Sequence, residues 1–486
     1  MNNKKKIMGA LAAFLATVAL PISATAAFSA NLLDNPTYSL QENGLTYVEQ
    51  SLNEGGVQKL FYGEYNTTSA DAEYEWVIHS IRNGTDTQLS TVDKIAKDYE
   101  QKTGRKVMLA TNGDYFFNTG NNVESYVNDG IVINKGAYTY KHCIGFDNAG
   151  KVVIGRMTEV EKRLMMVIDG ERIFFDINKI NQEPGDNEIA IYTNPGTYNI
   201  ENAVKYVFDS SSTNLTNFPV YGKYKKLIPN AMENNDPFTL RSGQFAVVAK
   251  GEHAQFFFDN IVYELEANLV EIPAGKFAGC TWVLGGYDIL VDNGTVNTNC
   301  HTDNSGDAAA PRTLFGFKED GTGFVCVVDG RQSGYSVGIT VNKEAELAKA
   351  LGAKYALELD GGGSSTVLIR INDTLTLRNK PSDGSMRAVS NAIMLVEKAK
   401  EAPQEPDTPA DTQPSEPENT TPETTPVTNP TTNPAANQQT QQGSQNNGIM
   451  NVLVVAGVAV GGVLVIATAV IVVAIVTHSR KRNRDQ

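Results

Sequence analysis

The chain opens on an apolar run that follows a basic start. Ile7 to Leu20 is uncharged, three lysines precede it, and small residues stand at Ala24 and Ala26. A basic start, a short apolar run and a small-residue cleavage site are typical of a secretory signal peptide. We therefore predict that residues 1–30 are a signal peptide and that the body of the chain is exported.

A second apolar run lies near the other end. Met450 to Val476 contains no charged residue, so as a helix it is long enough to cross a hydrocarbon core of about 30 Å. We predict a transmembrane helix at 449–477 and a basic cytoplasmic tail at 478–486, which makes a single-pass type I protein of the cell membrane with an extracellular body. Gly457 and Gly461 form a small-xxx-small pair, a weak signal for a homodimer through this helix.

Between the two ends, apolar residues recur with helical and then strand periods. They fall at helical spacing at Val92, Ile95, Ala96 and Tyr99. Gly104 ends this pattern, and the apolar run 107–110 then predicts a buried strand. The same order returns downstream, where Asn342 can cap a helix that Gly352 ends, and a strand at 355–359 leads into Asp360.

Alternating stretches around turns predict β-hairpins at 144–154 and at 314–328. Strands therefore dominate the body. The predicted fold class is α+β: a mixed, strand-rich sheet domain with few helices, plus the one C-terminal transmembrane helix.

Composition divides the chain further. Nine of the 19 prolines and seven acidic residues, with no lysine or arginine, fall in 401–448, so we predict a disordered stalk rich in proline and threonine at 398–448. Residues 31–400 carry a net charge of −13. A nucleic-acid partner is excluded on this ground, because such proteins show a basic excess. We divide the body into an N-terminal part, 31–104, and a main domain, 105–397.

Four cysteines, Cys143, Cys280, Cys300 and Cys326, lie in the exported body. Export permits disulfides, and four cysteines allow three pairings. We favour Cys280 with Cys300 because this pair closes the shortest loop among the three clustered cysteines. The alternative is four buried free thiols.

The segment 360–366 is the strongest candidate for chemistry. It places Asp360, three glycines and three hydroxyl residues directly after a predicted strand. Glycines let a ligand approach the backbone and let amide hydrogens point into one concavity, which suits a phosphate. Asp360 is then a candidate base, nucleophile or metal ligand. The alternative is a glycine-rich hairpin turn that Asp360 caps.

Three arginines stand beside turn residues elsewhere in the body. Arg312, Arg331 and Arg387 could each clamp phosphate oxygens in a bidentate manner. Each is equally consistent with a surface ion pair, as Asp329 with Arg331 would be.

Together these segments are similar to a known family. The matching pieces, in the family's order, are Asn112-Gly113-Asp114-Tyr115-Phe116, Pro311-Arg312-Thr313 with Gly316-Phe317, Val328-Asp329-Gly330-Arg331, Gly338-Ile339-Thr340, Leu347-Ala348, 359–366, 379–384, and Arg387 with Ser390-Asn391-Ala392. The chain resembles the phosphodiester glycosidases over roughly 105–397. Glu358 stands where the family pattern has asparagine, and 157–300 carries no clear landmark.

The resemblance implies an enzyme that hydrolyses a sugar-1-phosphodiester on a surface or environmental glycan, releasing the sugar and leaving a phosphomonoester. It implies three catalytic carboxylates, Asp360 at the centre with Asp329 and Asp114. The residues implied to bind the substrate are Asn112, Arg312, Arg331, Gly361, Gly362, Gly363, Ser364, Ser365, Arg387 and Asn391. Alternative functions are a non-catalytic cell-surface glycan-binding protein, a phosphodiesterase that cleaves the P–O bond, and a structural envelope protein.

No cofactor is expected, and a divalent metal is possible but has no supporting motif. A zinc site from Cys280, Cys300, His301 and Asp303 fits no standard spacing. The segment 303–307 lacks the sixth-position glycine and the distal glutamate of a calcium loop. Aromatic residues at 115–117 could stack on a sugar, although aromatic residues after a strand are more often core.

Overall fold

The computed structural model describes residues 28–29, 31–84, 86–138, 141–168, 170–210, 220–224, 236–260, 265–300, 308–399 and 453–454. The predicted signal peptide, stalk, membrane helix and basic tail therefore lie outside the described residues, except at 28–29, 398–399 and 453–454. Within the described ranges, no helix combines the length and the apolar character that crossing a membrane requires.

Three α-helices lie in the described parts of the chain: α1 at Val92–Thr103, α2 at Gly251–Asn260 and α3 at Val341–Ala350. Helix α1 buries the four apolar residues that predicted it and ends at Gly104, whose φ of 71° is left-handed. The N-cap of helix α3 lies two residues before the predicted cap, Asn342. This N-cap is Thr340, whose hydroxyl accepts from the Lys343 amide, whereas the Asn342 side chain accepts from the Cys300 amide.

The first sheet has eight antiparallel strands. In spatial order they are β1 (Tyr38–Glu42), β2 (Leu45–Asn53), β3 (Val57–Asn66), β26 (Thr322–Val328), β25 (Arg312–Lys318), β27 (Ala353–Glu358), β23 (Ile289–Asp292) and β24 (Thr295–Val296). The predicted hairpin at 314–328 is β25–β26, with Arg312 opposite Val328. Strands β1–β3 precede residue 105, so the N-terminal part of the body and the main domain share this sheet.

Two five-stranded sheets complete the main core. One has the order β29 (Thr374–Leu377), β28 (Val367–Ile371), β7 (Val107–Asn112), β30 (Ala392–Glu397) and β4 (Tyr74–His79). The other has the order β11 (Val152–Gly155), β10 (Cys143–Phe146), β22 (Trp282–Gly285), β8 (Ser125–Asn128) and β9 (Ile131–Lys135). One hydrophobic core, with Trp76, Leu109, Phe146, Phe315 and Ile393 among its fully buried members, joins these sheets to the first one and to α1.

A fourth sheet is built from the region in which the sequence showed no family landmark. Its order is β14 (Lys179–Ile180), β15 (Ile189–Tyr192), β20 (Gln244–Ala249), β17 (Val204–Ser210), β18 (Val220–Tyr224), β21 (Leu265–Pro273), β12 (Val160–Ile168), β13 (Glu171–Asp176) and β31 (Leu453–Val454). It packs on two cores of its own. Two short two-stranded sheets stand apart from these sheets: the hairpin β5–β6 (Arg82–Asn83, Asp86–Thr87), and the pair β16 (Gly196–Tyr198) and β19 (Phe238–Leu240), which is not consecutive in sequence. The strand-rich α+β prediction is confirmed for the described residues.

All four cysteines are free and buried, so the predicted Cys280–Cys300 disulfide is wrong. Cys280 packs with Cys143 in a small core under β10, whereas Cys300 packs with Cys326 in the core between the first sheet and α3. Loop length therefore gave the wrong pair, because the fold places these two thiols in separate cores.

Candidate active site

Several strand ends meet at one edge of the two main sheets. Strand β7 pairs with both β28 and β30, and β25 pairs with both β26 and β27. Since neighbouring strands are antiparallel, the carboxyl ends of β7, β26 and β27 lie beside the amino ends of β25, β28 and β30. This arrangement brings five segments that are far apart in sequence to one edge. They are the segments that follow Asn112, Val328 and Glu358 and those that precede Arg312 and Ala392.

Asp360 follows β27 and is held by the segment that follows β7. Its amide donates to the Gly113 carbonyl over 3.0 Å, and its carbonyl accepts from Asn112 Nδ2 over 2.6 Å. Burial raises the pKa of the Asp360 carboxyl to about 6, opposed by a hydrogen bond from Ser364 and by the charges of Arg387 and Lys141. At neutral pH this carboxylate is mostly ionised.

Asp114 lies two residues after β7 and is only 1% exposed. Its amide donates to Asn391 Oδ1 and its Oδ2 accepts from the Glu124 amide, both over 2.9 Å, while its Oδ1 has no hydrogen-bond partner among the described residues. Burial, with the charges of Glu124 and Asp360, raises the pKa of Asp114 well above its usual range. Burial therefore favours the protonated form of Asp114, and its electrostatic interaction with Asp360 acts in the same direction.

Glu124 is a third carboxyl group at this place, and no sequence motif marked it. It precedes β8, is 5% exposed, and its Oε1 accepts from the Tyr138 amide. Burial raises the pKa of Glu124 to about 7. Gly285, at the end of β22, lets Asp114 and Glu124 lie close together. A Cβ at this position would lie 2.5 Å from Asp114 Oδ2 and 2.6 Å from Glu124 Cβ.

Lys141 is a buried cation near these carboxyl groups, and no sequence motif marked it either. It is 8% exposed, and its Nζ lies 5.0, 5.2 and 4.4 Å from the ring centroids of Tyr115, Tyr138 and Tyr287. Its charge lowers the pKa of Asp114, Glu124 and Asp360. Of the predicted aromatic stretch, Tyr115 thus lines the site, and Phe117 lies at its exposed rim beside Tyr138 with ring centroids 6.3 Å apart.

The glycine run forms a 3₁₀ turn at Gly362–Ser364. The Gly362 amide donates to the Pro311 carbonyl over 2.8 Å, and the Ser364 and Ser365 amides donate within the turn. Of the three glycine amides, the turn thus uses that of Gly362, and anion binding by the glycine run stays a prediction. The Ser364 side chain bonds Asp360, and its Oγ accepts from Arg387 over 3.4 Å.

Arg387 and Arg331 flank this turn. The guanidinium of Arg387 pairs with Asp383 over 2.8 Å and packs so closely on Gly363 that a Cβ there would collide with both side chains. Arg331 is exposed, and its Nη1 lies 3.0 Å from the place a Cβ of Gly362 would take. Glycines are needed here because the two guanidinium groups lie directly on the backbone.

Four predicted site residues are instead buried and bonded to protein atoms. Asn112 and Asn391 are fully buried and fix the backbone at Asp360, Thr366 and Asp114. Ser365 is 1% exposed and its Oγ accepts from Thr313. Asn112, Asn391 and Ser365 therefore position neighbouring parts of the site and do not contact a substrate directly. Arg312 is the fourth such residue.

Arg312 is 5% exposed and directs its donors into the protein. Its Nε donates to the Ile339 carbonyl, its Nη2 to the Ala308 carbonyl and its Nη1 to Glu358, over 3.0, 3.0 and 3.3 Å. Glu358 is fully buried, and its Oε1 also accepts from the Tyr115 hydroxyl. The pair therefore supports the aromatic side of the site and does not form the predicted phosphate clamp.

Asp329 is likewise an anchor and not a free carboxylate. Its Oδ1 accepts from Asn379 over 2.8 Å, and its Oδ2 accepts from the Tyr335 hydroxyl and the Lys380 amide over 3.1 and 2.8 Å. Asn379 also donates to the Ser365 carbonyl. Asp329 thus holds the segment behind the glycine turn, and its catalytic role stays a prediction.

In the described ranges, no group of three or more His, Cys, Asp and Glu residues is arranged to hold a metal ion. Of the two metal sites considered from the sequence, His301 and the segment 303–307 lie outside the described residues, whereas Cys280 and Cys300 are described and lie in separate cores.

Comparison with protein families places this site in a class. Residues 199–396 match the family model described as phosphodiester glycosidase, a span that includes Asp360, the glycine turn and Arg387. The chain therefore carries a hydrolase domain that acts on glycosidic bonds. This match over residues 199–396 confirms the resemblance that the ordered motifs predicted. No curated protein matches the chain significantly.

Solved structures give more distant similarities. A hypothetical protein from Synechocystis is 18% identical with a TM-score of 0.45, and the aligned region covers 75% of this chain and 64% of that one. A putative exported protein from Burkholderia pseudomallei is 16% identical, with a TM-score of 0.37 and coverages of 70% and 74%. The catalytic domain of zebrafish N-acetylglucosamine-1-phosphodiester alpha-N-acetylglucosaminidase, auto-inhibited by its pro-peptide, is 14% identical, with a TM-score of 0.36 and coverages of 74% and 85%. The chain thus spans just under two thirds of the Synechocystis protein.

Proposed function

We propose that the chain is an extracellular, membrane-anchored hydrolase that cleaves a sugar-1-phosphodiester on a surface or environmental glycan at the bond between the anomeric carbon and oxygen. The observation that carries the proposal is the environment of Asp360. This ionised carboxylate lies between the Ser364–Arg387 pair on one side and Lys141 with its tyrosine rings on the other.

The two sides of Asp360 suit the two halves of such a substrate. Tyr115, Tyr138 and Tyr287 present ring faces and edges of the kind that pack against a sugar. Arg387 and Arg331, which are exposed beside the glycine turn, present donors and positive charge to a phosphate. The sugar therefore lies on the tyrosine side and the phosphodiester on the glycine-turn side.

The reaction follows from the charges of the two aspartates. When the bond from the anomeric carbon to oxygen breaks, the electron pair leaves with the phosphate, which Arg387 stabilises as an anion. Asp360 supplies negative charge beside the carbon that becomes oxocarbenium-like. Burial favours the protonated form of Asp114, which donates a hydrogen bond to an oxygen of the substrate. Water oxygen ends on the sugar, and a phosphomonoester remains.

Isotope labelling tests which bond breaks. The full-length chain is incubated in heavy-oxygen water with N-acetylglucosamine 1-(methyl phosphate), whose sugar is that in the name of the zebrafish protein. Label in the released sugar is expected, while label in the phosphate would show a phosphodiesterase. Asp360→Asn should reduce the rate at least about 100-fold. Binding of the intact compound by the native protein, without any turnover of this or other sugar phosphodiesters, would favour a glycan-binding protein.

The predicted location needs a separate experiment. Export by 1–30 and anchoring by 449–477 predict that the full chain sediments with membranes and that protease added to intact cells removes its body. A chain that ends at residue 448 should be released into the medium. Retention of the shortened chain in the membrane fraction would overturn the anchor, and cross-linking of the full chain against a Gly457→Leu variant would test the homodimer.

A further inference from the structure

A row of three cations, the exposed Arg331 and Lys380 and the half-buried Lys59, continues from the glycine turn. Arg331 lies over Gly362, and its neighbour Gln332 donates through Nε2 to the Lys380 carbonyl over 2.7 Å. The Nζ atoms of Lys380 and Lys59 lie 5.2 and 5.8 Å from the centroid of the Tyr335 ring. The row therefore runs from Arg331 through Lys380 to Lys59 along one surface.

The backbone at Arg331 is under strain. Its φ is 60°, in the left-handed region that non-glycine residues seldom enter. Its amide donates to the Val337 carbonyl over 3.0 Å, and Gln332 and Ser336 form an isolated bridge, so the loop is held in this conformation. Glycine or asparagine would adopt this φ at lower cost, and the presence of arginine points to a use for its charge.

No carboxylate of the described ranges forms an ion pair with Arg331, Lys380 or Lys59. Lys59 Nζ donates to the Ser51 hydroxyl, and the nearby acids are already engaged: Glu49 pairs with Arg378, and the buried Asp329 accepts from Asn379, Tyr335 and the Lys380 amide. Three cations that form no ion pair within the described ranges, two of them exposed and Lys59 half-buried, are unusual on a body whose net charge is −13.

We propose that Lys380 and Lys59, continuing from Arg331, bind a second phosphate on the aglycone side of the scissile phosphodiester. The substrate class is then a polymer with a phosphodiester in every repeat, and not a glycan with a single phosphodiester. This inference rests on the proposed function for its direction, because the sugar on the tyrosine side leaves the rest of the chain to run along the cations. An acidic body favours such a local row, since it repels polyanions elsewhere.

Two matched substrates test the second site. One is the glycosyl phosphodiester of the labelling experiment with glycerol in place of methanol, and the other carries an additional phosphate on that glycerol. For the native full-length chain at low ionic strength, kcat/KM should be about tenfold higher for the second substrate, and the preference should shrink as salt rises.

Charge-removing variants locate the effect. Lys59→Gln with Lys380→Gln should reduce the preference to about one while kcat/KM for the single-phosphate substrate stays within about twofold. The control is Lys94→Gln with Lys97→Gln, which removes two exposed lysines from α1 and should preserve the preference. A native ratio near one, or an unchanged ratio in the Lys59 and Lys380 variant, would overturn the proposal.

Failure of the proposed function gives a different result. If neither compound is hydrolysed, titration calorimetry with both compounds measures the same comparison as a ratio of Kd values. A tenfold tighter binding of the two-phosphate compound that depends on Lys59 and Lys380 would uphold the second phosphate site while refuting the hydrolase. Equal Kd values would refute the second site as well.

Discussion

Replacing Asp360 by asparagine should inactivate the protein and stabilise it at the same time. The side chain keeps its shape, and the Ser364 hydroxyl can donate to the amide oxygen as it does to the carboxylate. The negative charge beside the reacting carbon is lost, so we expect kcat/KM to fall at least about 100-fold. The charge removed is also one that the folded protein holds at a cost.

That cost follows from the pKa of Asp360, which burial raises from 3.8 to about 6. The unfolded chain releases this proton near pH 3.8 and the folded protein near pH 6, so the native protein loses stability as pH rises through that interval. At 1.36 kcal/mol per pKa unit, the loss reaches about 3 kcal/mol above pH 6. The variant lacks this loss, and its advantage should grow from near zero below pH 3.8 to about 3 kcal/mol at pH 7.

Urea denaturation of the native and variant chains at pH 4 and pH 7, beside initial rates on the same preparations, measures both effects. Asp86→Asn, which removes an exposed carboxylate from the β5–β6 hairpin, is the matched control and should change neither quantity. Equal stability of Asp360→Asn and native protein at pH 7 would refute the desolvated carboxylate. A rate within tenfold of native would refute its catalytic role.

Three other substitutions distinguish residues that take part in catalysis from residues that hold the site in place. Lys141→Met should move the acidic limb of the pH–rate profile to higher pH, because the lysine charge lowers the pKa of Asp360, and an unmoved limb would contradict this contact. Asp329→Ala should lower the free energy of unfolding by about 3 kcal/mol, as measured by urea denaturation, because three donors lose their acceptor, whereas a loss of activity without a loss of stability would support its catalytic role. Gly363→Ala should reduce kcat/KM with little change in Tm, because the new Cβ displaces the exposed Arg387 side chain and not backbone, and full activity would show that this arginine does not bind substrate.

The local pattern of apolar residues determined several of the helices and strands of this protein. The helical spacing at 92–99 and the alternation at 314–328 each formed the element they predicted, because one face of each is buried and the period of apolar residues records it. The glycine run and Arg387 were also recognisable, since close approach of side chains to backbone requires glycine at fixed positions. These motifs were enough to identify the family that the comparisons confirm.

The tertiary structure decided which polar residues form the site. Glu124 and Lys141 carry no local signature, and they lie near Asp360 only because β8 and β10 begin near the place where β27 ends. Conversely, Asp329 and Arg312 stand in family motifs, yet in the fold their side chains form hydrogen bonds to other protein groups. A sequence shows which residues can ionise, but burial and partners set their pKa values and contacts, and these exist only once distant strands have paired.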